Sequence, residues 1–405
     1  MAFWRRRKRR VVAKHKPRVR KQKEFVGIRA KRNRVRMVWN DRLEQLTERE
    51  FSQRYRLTKA MFTNLAELIR NMVESTRSMA GRSKPIPVEL QLSMALRFLA
   101  GGSVYDIVDL HGVAYSSFYR CLWRTLIAID AALPLSFNIT SDTEMTASEQ
   151  GFASLTNGVL RGIVGALDGL AVKIRKPTIN DVPNPMDYWN RKGFFAVNVQ
   201  AICDSNRVFR WFSASTCGST HDATAFDATH LHQRLEGNEL PDGFVIAGDE
   251  AYGLREYLVT PYSGSNLCSS KDAYNLYQSR CRINIECAFG MLVARWGVLW
   301  RKIDVALERV PLIIGVCLKL HNLCTVHALE IRSHISDARW GTVVLNYLAP
   351  DGPFAYKQSL CATEVVRKRL RRSAVCKRDE MMHTLALAGL CRPAVRPRPE
   401  PYGYQ

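Results

Sequence analysis

Four acidic residues stand at the ends of predicted strands or on predicted helices: Asp168, Asp222, Asp249 and Glu286. Hard divalent cations are held by several oxygen ligands, and the strand ends of one sheet can bring distant carboxylates together. Two such cations about 3.5–4 Å apart activate a water molecule and stabilise the leaving oxygen of a phosphodiester. Taken singly, an aspartate after a strand is more often a turn or cap residue, so residue type alone does not select these four among 37 acidic side chains.

The elements that must position these acids are short apolar runs separated by Gly, Asn and Asp. They predict strands over residues 162–167, 171–174, 195–203, 208–214 and 244–247. Helical patterns cover residues 222–230, 282–298 and 311–327. Asp168 and Asp249 directly follow two of the strands, and Gly169 would let the chain turn sharply after Asp168. A meander of strands, a central strand and packed helices predict an α/β domain over residues 158–330.

The predicted helix over residues 282–298 has two distinct faces. With about 3.6 residues per turn, Glu286, Gly290 and Val293 share one face. The other face is an apolar stripe formed by Ile285, Phe289, Leu292 and Trp296. Glu286 is therefore expected to project from the edge of a packed face, where a metal ligand would be needed.

The amino-terminal half predicts a helical domain over residues 41–133. Thr58 is suited to cap one helix. Two further helices, over residues 104–110 and 116–132, flank a short turn and resemble a helix-turn-helix, in which Tyr119 and Arg120 would begin the DNA-reading helix. Any helical bundle contains such a pair, so a purely structural bundle is the alternative. The polar residues 134–157 are expected to form a linker to the α/β domain.

The charge of the chain points to a polyanionic partner. Lys and Arg number 60 against 37 acidic residues, a formal net charge of +23, and nucleic acid is the natural partner for such a protein. Much of the excess lies in residues 1–40, which we expect to be a disordered basic arm. Its densest run is a candidate nuclear localisation signal or phosphate-binding segment, Arg5, Arg6, Arg7, Lys8, Arg9 and Arg10. We therefore predict a nuclear protein.

The carboxyl-terminal part carries weaker signals. Residues 331–391 predict a helical extension, and residues 392–405 are a Pro-rich tail. The longest apolar run, residues 310–320, is interrupted by Pro311 and Lys319, so no span of the roughly 18 residues that a membrane crossing requires is expected.

Local motifs around the four acids resemble those of PIF/Harbinger transposases, a family of DDE superfamily endonucleases that includes Harbinger transposase-derived nucleases. The block Gly-Ser-Thr-His-Asp ends at Asp222, and the pattern Arg-x-x-x-Glu-x-x-Phe-Gly places its acid at Glu286. Six motifs follow in family order, at residues 166–169, 188–193, 218–222, 248–252, 282–290 and 320–322. Each is weak alone, but their order is specific.

The resemblance implies a ribonuclease H-like fold with an Asp-Asp-Glu active site. Carried over position by position, Asp168, Asp249 and Glu286 would be the catalytic triad, and Asp222 a further metal ligand. The cofactor would be Mg²⁺ or Mn²⁺, with two ions, and the reaction would be DNA hydrolysis followed by strand transfer. The family also implies a Myb-like DNA-binding protein as partner.

Three candidate DNA contacts lie in the second motif: Asn190, Arg191 and Lys192. They could hold phosphate or simply form a solvated loop. Family members usually have Lys or Arg seven residues after the catalytic Glu, whereas this chain has Val293, and Arg295 could substitute for it in part. That departure keeps a second function open, a domesticated nuclear DNA-binding protein that does not cut. Cleavage of RNA at the same metal site is a third.

Overall fold

The structure, a computed structural model, describes residues 35–75, 85–334 and 364–392. The basic run at residues 5–10 and the Pro-rich segment from residue 393 onward lie outside the described residues, as does nearly all of the predicted basic arm. The described residues from Arg36 onward belong to one compact unit.

Six helices form the amino-terminal part: α1 Trp39–Gln45, α2 Glu48–Tyr55, α3 Lys59–Ser75, α4 Val88–Leu99, α5 Val104–His111 and α6 Tyr115–Ala132. The predicted cap of α3 is confirmed, because the Thr58 hydroxyl accepts a hydrogen bond from the Met61 N–H (3.1 Å). At the start of α2, Thr47 and Glu50 form a reciprocal capping box.

The predicted pair of helices is α5 and α6, with bounds within one residue of those expected. Gly112 takes a left-handed conformation (φ 61°) and ends α5. The buried face of α6 includes Phe118, Leu122 and Ile129, and the helix packs against α3, α4 and α11 (Val310–His334). Tyr115 and Ser116, at its start, are exposed to solvent. The helix pair therefore packs in a bundle and also presents an accessible start of α6. This packing agrees with both interpretations of the pair, a structural bundle and a helix-turn-helix.

The segment predicted to be a linker contains a helix, α7 Asp142–Ser154. Ser141 caps it by accepting a hydrogen bond from the Glu144 N–H (3.4 Å), and Met145 and Phe152 are buried. The sequence analysis did not predict this helix because only a few apolar residues mark it, and it packs against the following strand.

A six-stranded mixed sheet forms the α/β part, from β1 Ile163–Lys173, β2 Trp189–Asn190, β3 Phe194–Cys203, β4 Phe209–Cys217, β5 Val245–Ala247 and β6 Leu258–Val259. The order across the sheet is β2-β3-β1-β5-β6, and β4 also pairs with β3. Strands β1, β3 and β4 form an antiparallel meander. Strand β5 runs parallel to β1, and β6 parallel to β5.

Strand β1 corrects one detail of the sequence analysis. The chain does not turn at Gly169: β1 continues through Asp168, which lies opposite Ala201 of β3, and through Gly169, which lies opposite Gln200. The glycine is required for space. A Cβ at residue 169 would overlap Asp222 Oδ1 and come within 2.8 Å of Gln200 Nε2.

Five helices complete the described structure: α8 Asp222–Asp227, α9 His230–Glu236, α10 Ser269–Arg295, α11 and α12 Glu364–Leu387. Apolar side chains on the two sides of β5 belong to different clusters. Val245 and Ala247 join the core that includes α10 and α11. Ile246 joins Phe226 and Leu231 of α8 and α9. Helices thus cover both faces of the sheet, as predicted for an α/β protein.

The two-faced character predicted around Glu286 is confirmed. Ile285, Phe289 and Leu292 of α10 are buried, as is Trp296 just beyond its end, whereas Glu286 is exposed. Helix α10 packs on β1, β3 and β5. The helix begins at Ser269, 13 residues before the predicted start, and Tyr274 and Tyr277 of this first half are also buried.

Within the described residues, Leu307–Glu330 has the length and mean hydropathy (1.6) of a membrane span, contrary to the expectation from the sequence. Half of that window is buried in the protein. Ile313, Val316 and Leu320 belong to the main core, and α11 packs on α6 and β4. The apolar composition of α11 is therefore explained by its position in the main core of the protein.

Candidate active site

Two of the acids are neighbours through strand register. Ala166 of β1 lies opposite Ala247, the last residue of the parallel strand β5, so Asp168 stands two residues further along β1 and Asp249 two residues beyond the end of β5. Neighbouring strands are about 4.8 Å apart. Asp249 also caps the short 3-10 turn 250–252 by accepting a hydrogen bond from the Ala251 N–H (2.9 Å). The end of β5 thus places this carboxylate beside β1.

Asp222 begins α8 and is held from behind by two amides of β3. Its Oδ1 accepts hydrogen bonds from Asn198 Nδ2 (3.0 Å) and Gln200 Nε2 (3.1 Å). Gln200 lies directly opposite Gly169 in the sheet. The absence of a side chain at Gly169 therefore allows Asp222 to approach the strand that carries Asp168.

Glu286 enters from α10 and forms an ion pair with Arg282, one turn earlier on the same helix. Its side chain is 46% exposed. The charge of Arg282 also acts on Asp168 and Asp249. One guanidinium therefore lies among the carboxylates that the strands and the helix bring together.

The electrostatics of the aspartates show that the acids lie close enough for their charges to act on one another. Burial raises the pKa of Asp168 to about 6, and the charges of Asp249 and Glu286 raise it as well, while the Gly169 N–H and Arg282 oppose them. Burial likewise raises the pKa of Asp249, with contributions from Asp222 and Glu286. Desolvation and like charges both disfavour the ionised carboxylates.

The donor set has the chemistry that a hard divalent cation requires, since it is made of carboxylate oxygens. Among the residues that the structure describes, no group of three His, Cys, Asp or Glu side chains is closed tightly enough to hold a metal ion. The four acids line the pocket without converging on a single point, and Glu286 is occupied by Arg282. The types of these residues and their electrostatics therefore suit a divalent cation, and the four acids are arranged openly around the place it would occupy.

The predicted DNA contacts Asn190, Arg191 and Lys192 form the turn between β2 and β3. Asn190 is buried, and its side-chain oxygen accepts a hydrogen bond from the Lys192 N–H (2.7 Å). It therefore shapes the turn, whereas Arg191 and Lys192 are exposed. At about 3.3 Å per residue, this turn lies roughly 20 Å along β3 from Ala201, the partner of Asp168.

Arg295 does not take the place of the missing cation at Val293. Burial and the nearby charge of Arg295 lower the pKa of His321 to about 4. The Nη1 of Arg295 is buried without a hydrogen-bond partner in the described residues. The side chain thus faces α11, while Val293 lines a surface groove with Trp300 and Arg301.

The two candidates on α6 differ in accessibility. Arg120 is exposed, whereas Tyr119 is half-buried and its ring packs against Phe118 (5.1 Å between centroids) and Trp123 (6.4 Å). Arg120 can contact a partner directly. Tyr119 mainly supports the first turns of the helix.

Asn198, Gln200 and Tyr252 are site residues to which the sequence analysis gave no role. All three are buried, and the Tyr252 hydroxyl donates to Gln200 Oε1 (2.6 Å). One signal was available: Asn198 and Gln200 are the only polar residues in β3 and, two apart, lie on the same face of the strand.

Comparison with known proteins places the same segment in a family. The family described as DDE superfamily endonuclease matches residues 167–322, which contain all four acids. "Putative nuclease HARBI1" of Homo sapiens is 25% identical over 298 residues, 72% of this chain and 82% of the human protein. "Protein ALP1-like" of Arabidopsis thaliana is 23% identical over 294 residues, 67% of this chain and 70% of that protein. No solved structure matches significantly. Residues 167–322 are therefore similar to DDE superfamily endonucleases, and the resemblance to the Harbinger family that the motifs predicted is confirmed.

Proposed function

We propose that the protein is a divalent-metal-dependent endonuclease of the PIF/Harbinger type that hydrolyses DNA phosphodiester bonds. The observation that carries the proposal is the register of β1 and β5, which sets Asp168 beside Asp249 in a pocket that Asp222 and Glu286 also face. Such a group of carboxylates in a chain of net charge +23 is costly unless cations bind there.

The sheet supports a ribonuclease H-like fold as part of the proposal. An antiparallel meander of β1, β3 and β4 is followed by β5 and β6, which run parallel to β1 on its other side. The acids would then come from the first strand, the first parallel strand and a helix packed on the sheet, which is the placement expected for the family.

In the proposed mechanism Asp168, Asp249 and Glu286 would hold two Mg²⁺ or Mn²⁺ ions, with Asp222 as a further ligand. When bound, the ions would activate a water molecule and stabilise the leaving oxygen. The protein orients the acids through the sheet and shields them in part from solvent. Asp168 must be ionised to bind a cation, and its raised pKa makes that proton loss depend on pH near 6.

DNA binding, nuclear localisation and a Myb-like partner also belong to the proposal. The exposed residues Arg120 at the start of α6 and Arg191 and Lys192 beyond β2 are suited to phosphate contacts. Because the second pair lies roughly 20 Å from Asp168 along β3, it would contact flanking DNA and leave the scissile phosphate to the acids. The basic run at residues 5–10 would serve import, phosphate contact or both.

Nicking of plasmid and of terminal-repeat DNA in Mg²⁺ or Mn²⁺ tests the proposal. We expect Asp249→Ala to lower cleavage by about three orders of magnitude or more, while Glu44→Ala, at an exposed position on α1, leaves it unchanged. An RNA–DNA hybrid tested in parallel separates ribonuclease activity. A wild type that cuts neither DNA substrate, even with a Myb-like partner present, would refute the proposal.

A non-cutting DNA-binding protein is the second candidate, favoured by two observations. Val293 removes a cation expected near the phosphate, and the acids in the described residues form no closed metal site. In that case wild type and Asp249→Ala would give equal, background levels of product and equal DNA affinity.

A further inference from the structure

Three buried polar side chains meet behind Asp222, and each comes from a different stretch of the chain. Asn198 and Gln200 belong to the central part of β3, and Tyr252 ends the turn that Asp249 caps. Gln200 is fully buried and Tyr252 is 2% exposed. Buried polar groups at such positions are expected to be fully hydrogen-bonded.

The hydrogen bonds form a chain with one direction. The Tyr252 hydroxyl donates to Gln200 Oε1 (2.6 Å), which turns the amide so that its nitrogen faces Asp222. That nitrogen donates to Asp222 Oδ1 (3.1 Å) and to Asn198 Oδ1 (2.8 Å). The Asn198 amide nitrogen then donates to Asp222 Oδ1 (3.0 Å) and to the Thr220 carbonyl (2.9 Å). Because each amide oxygen is an acceptor in this chain, both amide orientations are determined by their neighbours.

We propose that Tyr252, Gln200 and Asn198 are positioning residues that hold Asp222 in one orientation, with Oδ1 engaged from behind and Oδ2 left as its one available ligand oxygen. This inference rests on the proposed function of the same pocket. Tyr252 follows Asp249 in the same short turn. The chain of hydrogen bonds therefore couples the turn that carries one acid to the orientation of another.

The size of Gly169 belongs to the same arrangement. It lies opposite Gln200, and a Cβ there would meet both Gln200 Nε2 and Asp222 Oδ1. The glycine thus leaves room for Asp222 in the orientation that the amides select.

A purely structural role for the tyrosine makes a different prediction, and a metal-free double-mutant cycle separates the two. Tyr252→Phe removes only the hydroxyl, and Tyr274→Phe is the matched control, since the Tyr274 hydroxyl is buried without a hydrogen-bond partner in the described residues. If Tyr252 acts through Asp222, Tyr252→Phe should raise the unfolding equilibrium constant about 5-fold in the wild type and at most about 2-fold in Asp222→Ala. Equal effects in both backgrounds would overturn the inference.

Titration with Mn²⁺ alone, followed by electron paramagnetic resonance of the free ion, gives the second readout. We expect Tyr252→Phe to weaken Mn²⁺ binding about 10-fold, Tyr274→Phe to leave it unchanged, and the double variant to bind no more weakly than Asp222→Ala. Asn198→Ala should match Tyr252→Phe, which keeps the test decisive if one variant folds poorly. Unchanged affinity in both variants, with weakened binding in Asp222→Ala, would also overturn the inference.

The two proposals fail in different ways. A protein that neither binds Mn²⁺ nor cuts DNA refutes the nuclease and the ligand role of Asp222, although a non-additive cycle would still establish that Tyr252 orients Asp222. An additive cycle refutes the positioning chain whether or not the protein cuts DNA.

Discussion

Replacing Asp168 with asparagine should stabilise the metal-free protein, and the gain should grow with pH. The amide oxygen of the introduced asparagine can still accept the hydrogen bond that the Gly169 N–H donates to Asp168 (2.8 Å). The variant therefore removes the buried charge and keeps the local contact. What changes is the cost of ionising a carboxyl group in this pocket.

The magnitude follows from the pKa of Asp168, which burial and the neighbouring acids raise from 3.8 to about 6. Each tenfold change in proton affinity corresponds to about 1.4 kcal/mol, so the full effect is at most about 3 kcal/mol. Between these two pKa values the folded state binds more protons than the unfolded state, so the free energy of unfolding falls as pH rises. Below the lower value both states are protonated, and above the higher one both are ionised and the full cost is present.

Urea denaturation in EDTA, from pH 3.5 to 7.5, measures this difference. Wild type and Asp168→Asn should be equally stable at the acid end, diverge as pH rises, and differ by a constant amount above about pH 6. Asp181→Asn is a control in which the change of stability with pH should have the opposite sign. Hydrogen bonds from Thr178 lower the pKa of the exposed Asp181, so this variant should lose stability relative to the wild type as pH rises. The burial of this charge would be refuted if the difference in free energy of unfolding between wild type and Asp168→Asn did not change with pH. It would also be refuted if the wild type were the more stable protein at neutral pH.

Three further predictions concern the same pocket. At pH 7.5 a saturating concentration of Mn²⁺ should raise the melting temperature of the wild type and not that of Asp168→Asn, because only the folded wild type binds the ion; calorimetry checks this, and equal shifts would contradict it. Gly169→Ala should lose about 1–3 kcal/mol in urea denaturation through its overlap with Asp222, whereas Gly290→Ala, which meets nothing within 4 Å, should gain up to about 1 kcal/mol. Val293→Lys should tighten duplex DNA binding and steepen its salt dependence by about one unit in fluorescence anisotropy, an effect that exposed Leu68→Lys on α3 should not reproduce.

The parts of the fold that show a regular pattern of apolar residues could be predicted from the sequence. The apolar stripe of Ile285, Phe289 and Leu292 alone indicates that α10 is packed and that Glu286 stands at its edge. The apolar run that forms β3 was likewise placed to within one residue. These features depend on local composition, which a single sequence displays.

Two errors have non-local causes. Gly169 suggests a turn, but its role is to leave space for Asp222 and Gln200, which arrive from α8 and β3. Helix α7 has only a weak apolar face, and its position depends on packing against β1. In both cases the deciding contact is with a residue distant in sequence, so no local pattern could reveal it.

The candidate site was predicted only in part, for the same reason. The order of the motifs selected the four acids. Neither the charge of the chain nor the spacing of its acidic residues would have identified them. The supporting residues Asn198, Gln200 and Tyr252 act through side-chain hydrogen bonds between separate elements. Only the occurrence of two polar residues on one face of an apolar strand hinted at them.

The charge balance of the pocket explains why the same residues are unfavourable alone and suited to cations. Arg282 forms an ion pair with Glu286, and its charge opposes the raised pKa of both Asp168 and Asp249. A DNA phosphate approaching this pocket would add a negative charge that one arginine cannot offset. Divalent cations would neutralise the acids and attract the phosphate at once. A bound cation would therefore relieve the repulsion between the acids that contributes to the raised pKa of Asp168 in the metal-free protein.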